Sequence, residues 1–177
     1  MDLTEKTIKV ESVFKGRILS VDVETVELPD GKIGTREIVR HPGAVAILPI
    51  EANGDVILVR QYRKPLNQAI WEIPAGKLEV GENPLECAKR ELAEEIKKSA
   101  ITWEPLISVW TAPGFTNEMI HLFKAEGLAT VEAEADEDEF LEVESFSPEK
   151  LNEMIHSGEI QDTKTINALL YSGVVQI

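Results

Sequence analysis

Glu91, Glu94 and Glu95 bring three carboxylates within about one helical turn, with Arg90 beside them. Residues three and four apart share a helix face, so Glu91 and Glu95 stack and Glu94 flanks them. Like charges at that spacing cost roughly a few tenths of a kcal/mol each in an isolated helix. A divalent cation between them would remove the cost. Carboxylate oxygens suit Mg²⁺ or Mn²⁺, and nothing nearby supplies the Cys/His set that zinc prefers. Arg90 offers partial relief, because Glu86 and Glu94 lie four residues either side of it. Taken alone, the helix leaves a second reading open, a solvated acidic face.

These carboxylates need a helix, and the residues before them supply its start. Asn83 is a good N-cap, Pro84 suits the first helical position, and Glu86 can complete a capping box. Leu85, Ala88, Leu92 and Ile96 recur at three- and four-residue spacing, which predicts one buried stripe on a helix over 84–98. Ahead of it, the loop Gly76-Lys77-Leu78-Glu79-Val80-Gly81-Glu82 follows a short strand over Ile70–Pro74.

The rest of the chain reads as strands, turns and two closing helices. Ile18, Val21, Val23, Val26 and Leu28 give broken alternation, Pro29-Asp30-Gly31-Lys32 is a turn, and residues 36–40 return as a strand. His41-Pro42-Gly43 breaks the pattern and marks a boundary between domains at 1–42 and 43–177. Residues 44–50 and 56–62 flank Asn53-Gly54, a hairpin signal. Strand-like runs cover 106–111 and 118–125, then an acidic segment, 126–144, carries nine carboxylates and no base. Residues 148–156 and 162–171 predict helices, the first stopped by Ser157-Gly158.

Composition narrows the function. The chain has 177 residues, 43% of them hydrophobic and 28% charged, an ordinary globular balance. No apolar run is long enough to cross a membrane as a helix, and no secretion signal opens the sequence. One cysteine, Cys87, precludes an intrachain disulfide and suits a reducing, cytoplasmic setting. Mid-helix among acids, its thiol should stay protonated. A net charge of −14 disfavours binding of a nucleic-acid polymer through a basic face. Most of that charge, −13, falls in residues 43–177.

Read together, Gly76, Glu82, Arg90, Glu91, Leu92, Glu94 and Glu95 resemble the Nudix hydrolase signature, G-x5-E-x7-R-E-U-x-E-E-x-G-U, where U is aliphatic. The signature's last two positions are replaced by Lys97 and Lys98. The departure concerns the helix end and the turn after it, not the metal site. Arg36-Glu37, Gln61-Tyr62-Arg63, Trp71 to Gly76, Ala112-Pro113-Gly114 and Asp136-Glu137-Asp138-Glu139 are similar, in order and interval, to segments of the bacterial ADP-ribose pyrophosphatase branch.

The resemblance implies an α/β (α+β) Nudix fold, a mixed β-sheet sandwiched between helices, with a small N-terminal antiparallel β-domain. It implies that the Ala75 carbonyl, Glu91, Glu94 and Glu95 hold Mg²⁺ or Mn²⁺, with Glu139 as a further ligand. Glu137 takes the place of a general base, and Glu139 is its rival for that role. Glu82 and Arg90, with Gly76, would brace the loop and helix. Arg63 and Glu118 would meet the ribose-diphosphate part of a substrate, Gly114 would also bind substrate, and Arg36 and Glu37 would meet the nucleoside end, across a homodimer that exchanges N-terminal domains. The implied reaction is hydrolysis of ADP-ribose to AMP and ribose 5-phosphate. Another nucleoside diphosphate sugar such as GDP-mannose, or a non-catalytic nucleotide sensor, are the alternatives. An anionic diphosphate repels hydroxide, so on the order of two or three divalent ions would neutralise it and activate water. An acidic site for an acidic substrate is then no contradiction.

Overall fold

The computed structural model describes residues 2–134 and 140–176. The chain divides into two compact units, one of residues 1–43 with 110–119 and one of residues 44–109 with 120–177.

The first unit is an antiparallel sheet of β1 (Lys6–Lys15), β2 (Ser20–Glu27) and β3 (Ile33–Arg40), in that order. The Pro29–Lys32 turn closes β2 onto β3: Gly31 N–H donates to the Leu28 carbonyl at 2.8 Å, with Gly31 at φ 82°. β1 goes beyond the strands that the sequence pattern marks. Its pairing with β2 shifts register between Thr7 and Lys9 and again between Ser12 and Phe14, so its apolar residues do not alternate cleanly. The segment 110–119 docks beside β3: Val39 N–H donates to the Phe115 carbonyl at 2.8 Å, and His41 N–H to Asn117 Oδ1 at 2.9 Å.

In the second unit the described residues form a seven-stranded sheet. Its spine runs β10 (Leu141–Phe146), β5 (Val56–Arg63), β4 (Ala44–Ile50), β9 (Met119–Thr130), β8 (Lys98–Trp110). β6 (Gln68–Glu72) pairs with β5, and β7 (Ala75–Lys77) with β4. β4 and β9 run parallel, whereas β5 is antiparallel to β10, so the sheet is mixed. Alternate residues of β4 and β5 feed two cores. Ala46, Leu48, Val56 and Leu58 pack with Leu151 and Met154 of α2 (Pro148–Ser157) and Ala168 and Leu169 of α3 (Thr163–Tyr171). Val45, Ile47, Ile57 and Val59 pack with Ala88, Leu92 and Ile96 of α1 (Pro84–Ile96). With helices on both faces, the strand reads as a nearly continuous apolar run, as Ala44–Ile50 does. This is the layered Nudix arrangement the resemblance implies.

Three expectations need adjusting. α1 ends at Ile96 rather than 98: Lys97 turns left-handed at φ 55° and Lys98 opens β8. The short strand is Gln68–Glu72, earlier than 70–74, because Pro74 has no N–H for a ladder and its carbonyl instead accepts from Ile47 N–H at 2.8 Å. The capping box is half made. Asn83 Oδ1 accepts from Leu85 N–H, but Glu86 pairs with Lys89 at 2.8 Å, so of its two helical neighbours Arg90 takes Glu94 alone.

Candidate active site

The carboxylates meet the chain segment that precedes the loop. Buried Leu92 and Ile96 fix the rotation of α1, and that rotation turns Glu91 and Glu95 toward β7, where both are buried. Glu95 Oε2 accepts from Ala75 N–H at 3.1 Å. Gly76 lies so close to Glu91 that a Cβ there would fall 1.8 Å from the Glu91 carboxyl carbon. Only glycine fits, which gives the first residue of the signature a steric reason.

Arg90 ties loop to helix. Its Nε and one terminal nitrogen each donate to Glu82 at 3.2 Å, and the other terminal nitrogen reaches Glu91 at 2.7 Å and Glu94 at 2.9 Å. The Arg90 hydrogen bonds, helped by the Glu79 N–H, pull the Glu82 carboxyl down to about 2. Burial opposes charge on Arg90, but Glu82 and Glu91 outweigh it and raise its pKa above the usual guanidinium value. Cys87, buried on the same helix with its thiol near the Lys77 carbonyl, is pushed up to about 12, by burial first and then by Glu82.

The Ala75 carbonyl with Glu91, Glu94 and Glu95 would offer oxygen donors only, the type a hard divalent ion takes, although among the described residues no three acidic, histidine or cysteine side chains already gather as for a metal. The cradle at Gly76 brings the Glu91 carboxylate against the backbone that would share such an ion.

The other expected residues fall in separate places. Arg63, at the end of β5, donates through Nε to Glu72 Oε1 at 2.7 Å. In the first unit Glu118 accepts from Thr111 Oγ1 at 2.8 Å and lies 3.4 Å from His41 Nδ1. Gly114 sits in the exposed turn after Pro113. Arg36 on β3 pairs with Glu5, and Glu37 beside it is exposed. Glu137 and Glu139 lie outside the described residues.

Sequence reading missed one cluster. Buried Glu72 bridges Arg63 and Lys164, while Asp162 forms an ion pair with Lys164 Nζ at 3.0 Å and accepts from Thr165 Oγ1 at 2.6 Å. Ile73 N–H donates to Thr165 Oγ1 at 2.9 Å. A signal existed: a lysine in the first turn of a helix opposes the helix dipole and needs a carboxylate.

Comparison with known proteins identifies the family and the fold. A model of the NUDIX domain matches residues 39–169, and one of the nucleoside diphosphate sugar hydrolase N-terminal domain matches residues 5–39. The chain is 47% identical over 171 residues to an ADP-ribose pyrophosphatase of Bacillus subtilis, covering 96% of this chain and 92% of that one. It is 48% identical over 169 residues to a methanol dehydrogenase activator of Bacillus methanolicus, covering 94% and 91%. A crystal structure of an ADP compounds hydrolase superposes with a TM-score of 0.87 at 23% identity, over 98% of this chain and 95% of that one, a likeness of fold. With the signature on the loop and helix that form it, the chain belongs to the Nudix hydrolase family.

Proposed function

We propose that the protein hydrolyses the diphosphate linkage of ADP-ribose, giving AMP and ribose 5-phosphate, with Mg²⁺ as cofactor and Mn²⁺ as a substitute. The observation that carries this reading is the fit of Gly76 against Glu91, with Glu95 on the Ala75 N–H, in a chain 47% identical to an ADP-ribose pyrophosphatase. The Ala75 carbonyl, Glu91, Glu94 and Glu95 hold the metal, joined by Glu139. Bound there, the ions neutralise the diphosphate and lower the pKa of water. Arg90 and Glu82 keep loop and helix in register. Glu137 orients or deprotonates the attacking water. Arg63 and Glu118 hold the ribose-diphosphate part, and Gly114 also binds substrate. Arg36 and Glu37 meet the nucleoside end from a partner subunit, in a cytoplasmic homodimer that exchanges its N-terminal sheets.

A Mg²⁺-dependent product-release screen of ADP-ribose beside GDP-mannose, UDP-glucose, NADH and a nucleoside triphosphate tests the reading. Preferential release of AMP from ADP-ribose is expected; preferential cleavage of another sugar nucleotide would keep the chemistry and discard the substrate. Glu95→Gln should lower turnover by more than the roughly 10–100-fold that loss of a metal's outer-shell partner costs. Near-normal turnover would overturn the metal assignment. A second reading follows from the likeness to the methanol dehydrogenase activator, that this chain acts on a dehydrogenase. It gains ground if the screen yields no hydrolysis at all.

A further inference from the structure

We propose that Lys164 is a positioning residue for substrate binding: acting through Glu72, it keeps the terminal nitrogens of Arg63 turned outward to the substrate's diphosphate. This rests on the reading of Arg63 as a diphosphate contact.

Glu72 is 1% exposed, and a carboxylate so buried must have both oxygens answered. Oε1 accepts from Arg63 Nε at 2.7 Å, and Oε2 pairs with Lys164 Nζ. Lys164 is itself largely buried and also paired with Asp162 at 3.0 Å, so its ammonium is too enclosed to serve as the substrate's own contact. Arg63 differs. Its side chain stays 39% exposed, and among the described residues only its Nε is hydrogen-bonded. The Glu95 charge also acts on the Arg63 guanidinium, which places Arg63 within electrostatic reach of the metal-binding carboxylates.

The four groups alternate in sign: Arg63, Glu72, Lys164, Asp162. Without the ammonium, Glu72 Oε2 would lose its partner, and the other donor already on this carboxylate among the described residues is Arg63. A guanidinium engages a carboxylate best through two parallel bonds. Arg63 would then turn a terminal nitrogen inward onto Glu72 and withdraw it from the diphosphate. Lys164 thus blocks the inward pairing. Its place in the first turn of α3, where a cation is disfavoured by the dipole, is explained by that duty.

The test is a double-mutant cycle on the full-length protein at saturating Mg²⁺, using Lys164→Met and Arg63→Ala, with thermal melts to confirm folding. Lys164→Met should raise KM for ADP-ribose about tenfold, the scale of one charge-assisted bond, with a smaller change in kcat. In the Arg63→Ala background the same substitution should leave KM nearly unchanged, because the group it positions is gone. A merely structural lysine would act equally in both backgrounds, and an additive effect would overturn the proposal while sparing the Arg63 reading. An unchanged KM in Lys164→Met alone does the same. If Arg63→Ala itself leaves KM unchanged, the diphosphate role of Arg63 fails and the proposal falls with it. Should Lys164→Met not fold, Glu72→Gln enters the same cycle, with the same coupling to Arg63→Ala expected.

Discussion

In the seven-stranded sheet, Val45, Ile47, Leu48 and Leu58 are wholly shielded by helices on either face, whereas Ile8, Val10 and Phe14 on β1 and Ile33 on β3 each leave more than half of their surface in solvent. Both sheets are rich in β-branched and aromatic residues, so propensity does not separate them. What differs is the covering layer: α1, α2 and α3 pack within the second unit, and the first unit has no helix among its described residues. The larger sheet can therefore hold a site rigidly on its own. The smaller one exposes apolar strands of the kind that natural proteins usually cover with another surface. The proposed second copy of the chain is one surface that would cover them.

The sharpest way to break the comparison is at the rigid site. Gly76→Ala places a methyl group 1.8 Å from the Glu91 carboxyl carbon, so carboxylate or backbone must shift. A 1 Å misplacement can cost about 100-fold in rate, and a loss of that order is expected in a steady-state assay. Activity within a few-fold of the parent would mean that the cradle gives way easily and that the site is not rigidly held. At the other pole, deleting residues 1–42 should convert a dimer to a monomer by light scattering. A truncated chain that still dimerises would show that the exposed strands of the first unit are not the interface.

The same contrast governs what could be read from sequence. Local signals sufficed where one residue type has one physical use: Asn83-Pro84 at the start of α1 and the Asn53-Gly54 hairpin, whereas the reading of Gly76 with its carboxylates as one site rested on the family resemblance. β1 fell within the first domain read as β-structure, but its bounds were not legible, because its two register shifts accompany a broken alternation and its apolar residues are not buried in the chain. The Glu72–Lys164 pair escaped for another reason. Its members are 92 residues apart, and no local pattern tells which acid in a short strand will be buried. Arg63 was singled out by resemblance, but the carboxylate that orients it was legible only in the fold.

Cys87 offers a milder test of how closed the second unit is. Its thiol, pushed up to about 12 by burial and by Glu82, should be almost wholly protonated at pH 8. In the native protein a thiol-reactive chromogenic disulfide should label it far more slowly than in denaturant. Comparable rates would show that α1 opens readily from the sheet.

The smallest expected effect lies at the end of α1, where the signature's glycine is replaced by Lys97. The residue stands at φ 55°, ψ 41°, a conformation that costs an L-residue roughly 1–2 kcal/mol. Two terms work against glycine there. The unfolded chain gains about 0.4–1 kcal/mol of conformational freedom when a side chain is removed. The bond from Lys97 Nζ to the Glu94 carbonyl at 2.8 Å, which covers one of the open carbonyls of the helix end, is also lost. The terms nearly cancel, so Lys97→Gly should move the melting temperature by only about 1–2 °C, upward if backbone strain dominates. A fall of several degrees would show that the lysine's own capping bond, rather than tolerance of strain, lets this chain end its helix without the family's glycine.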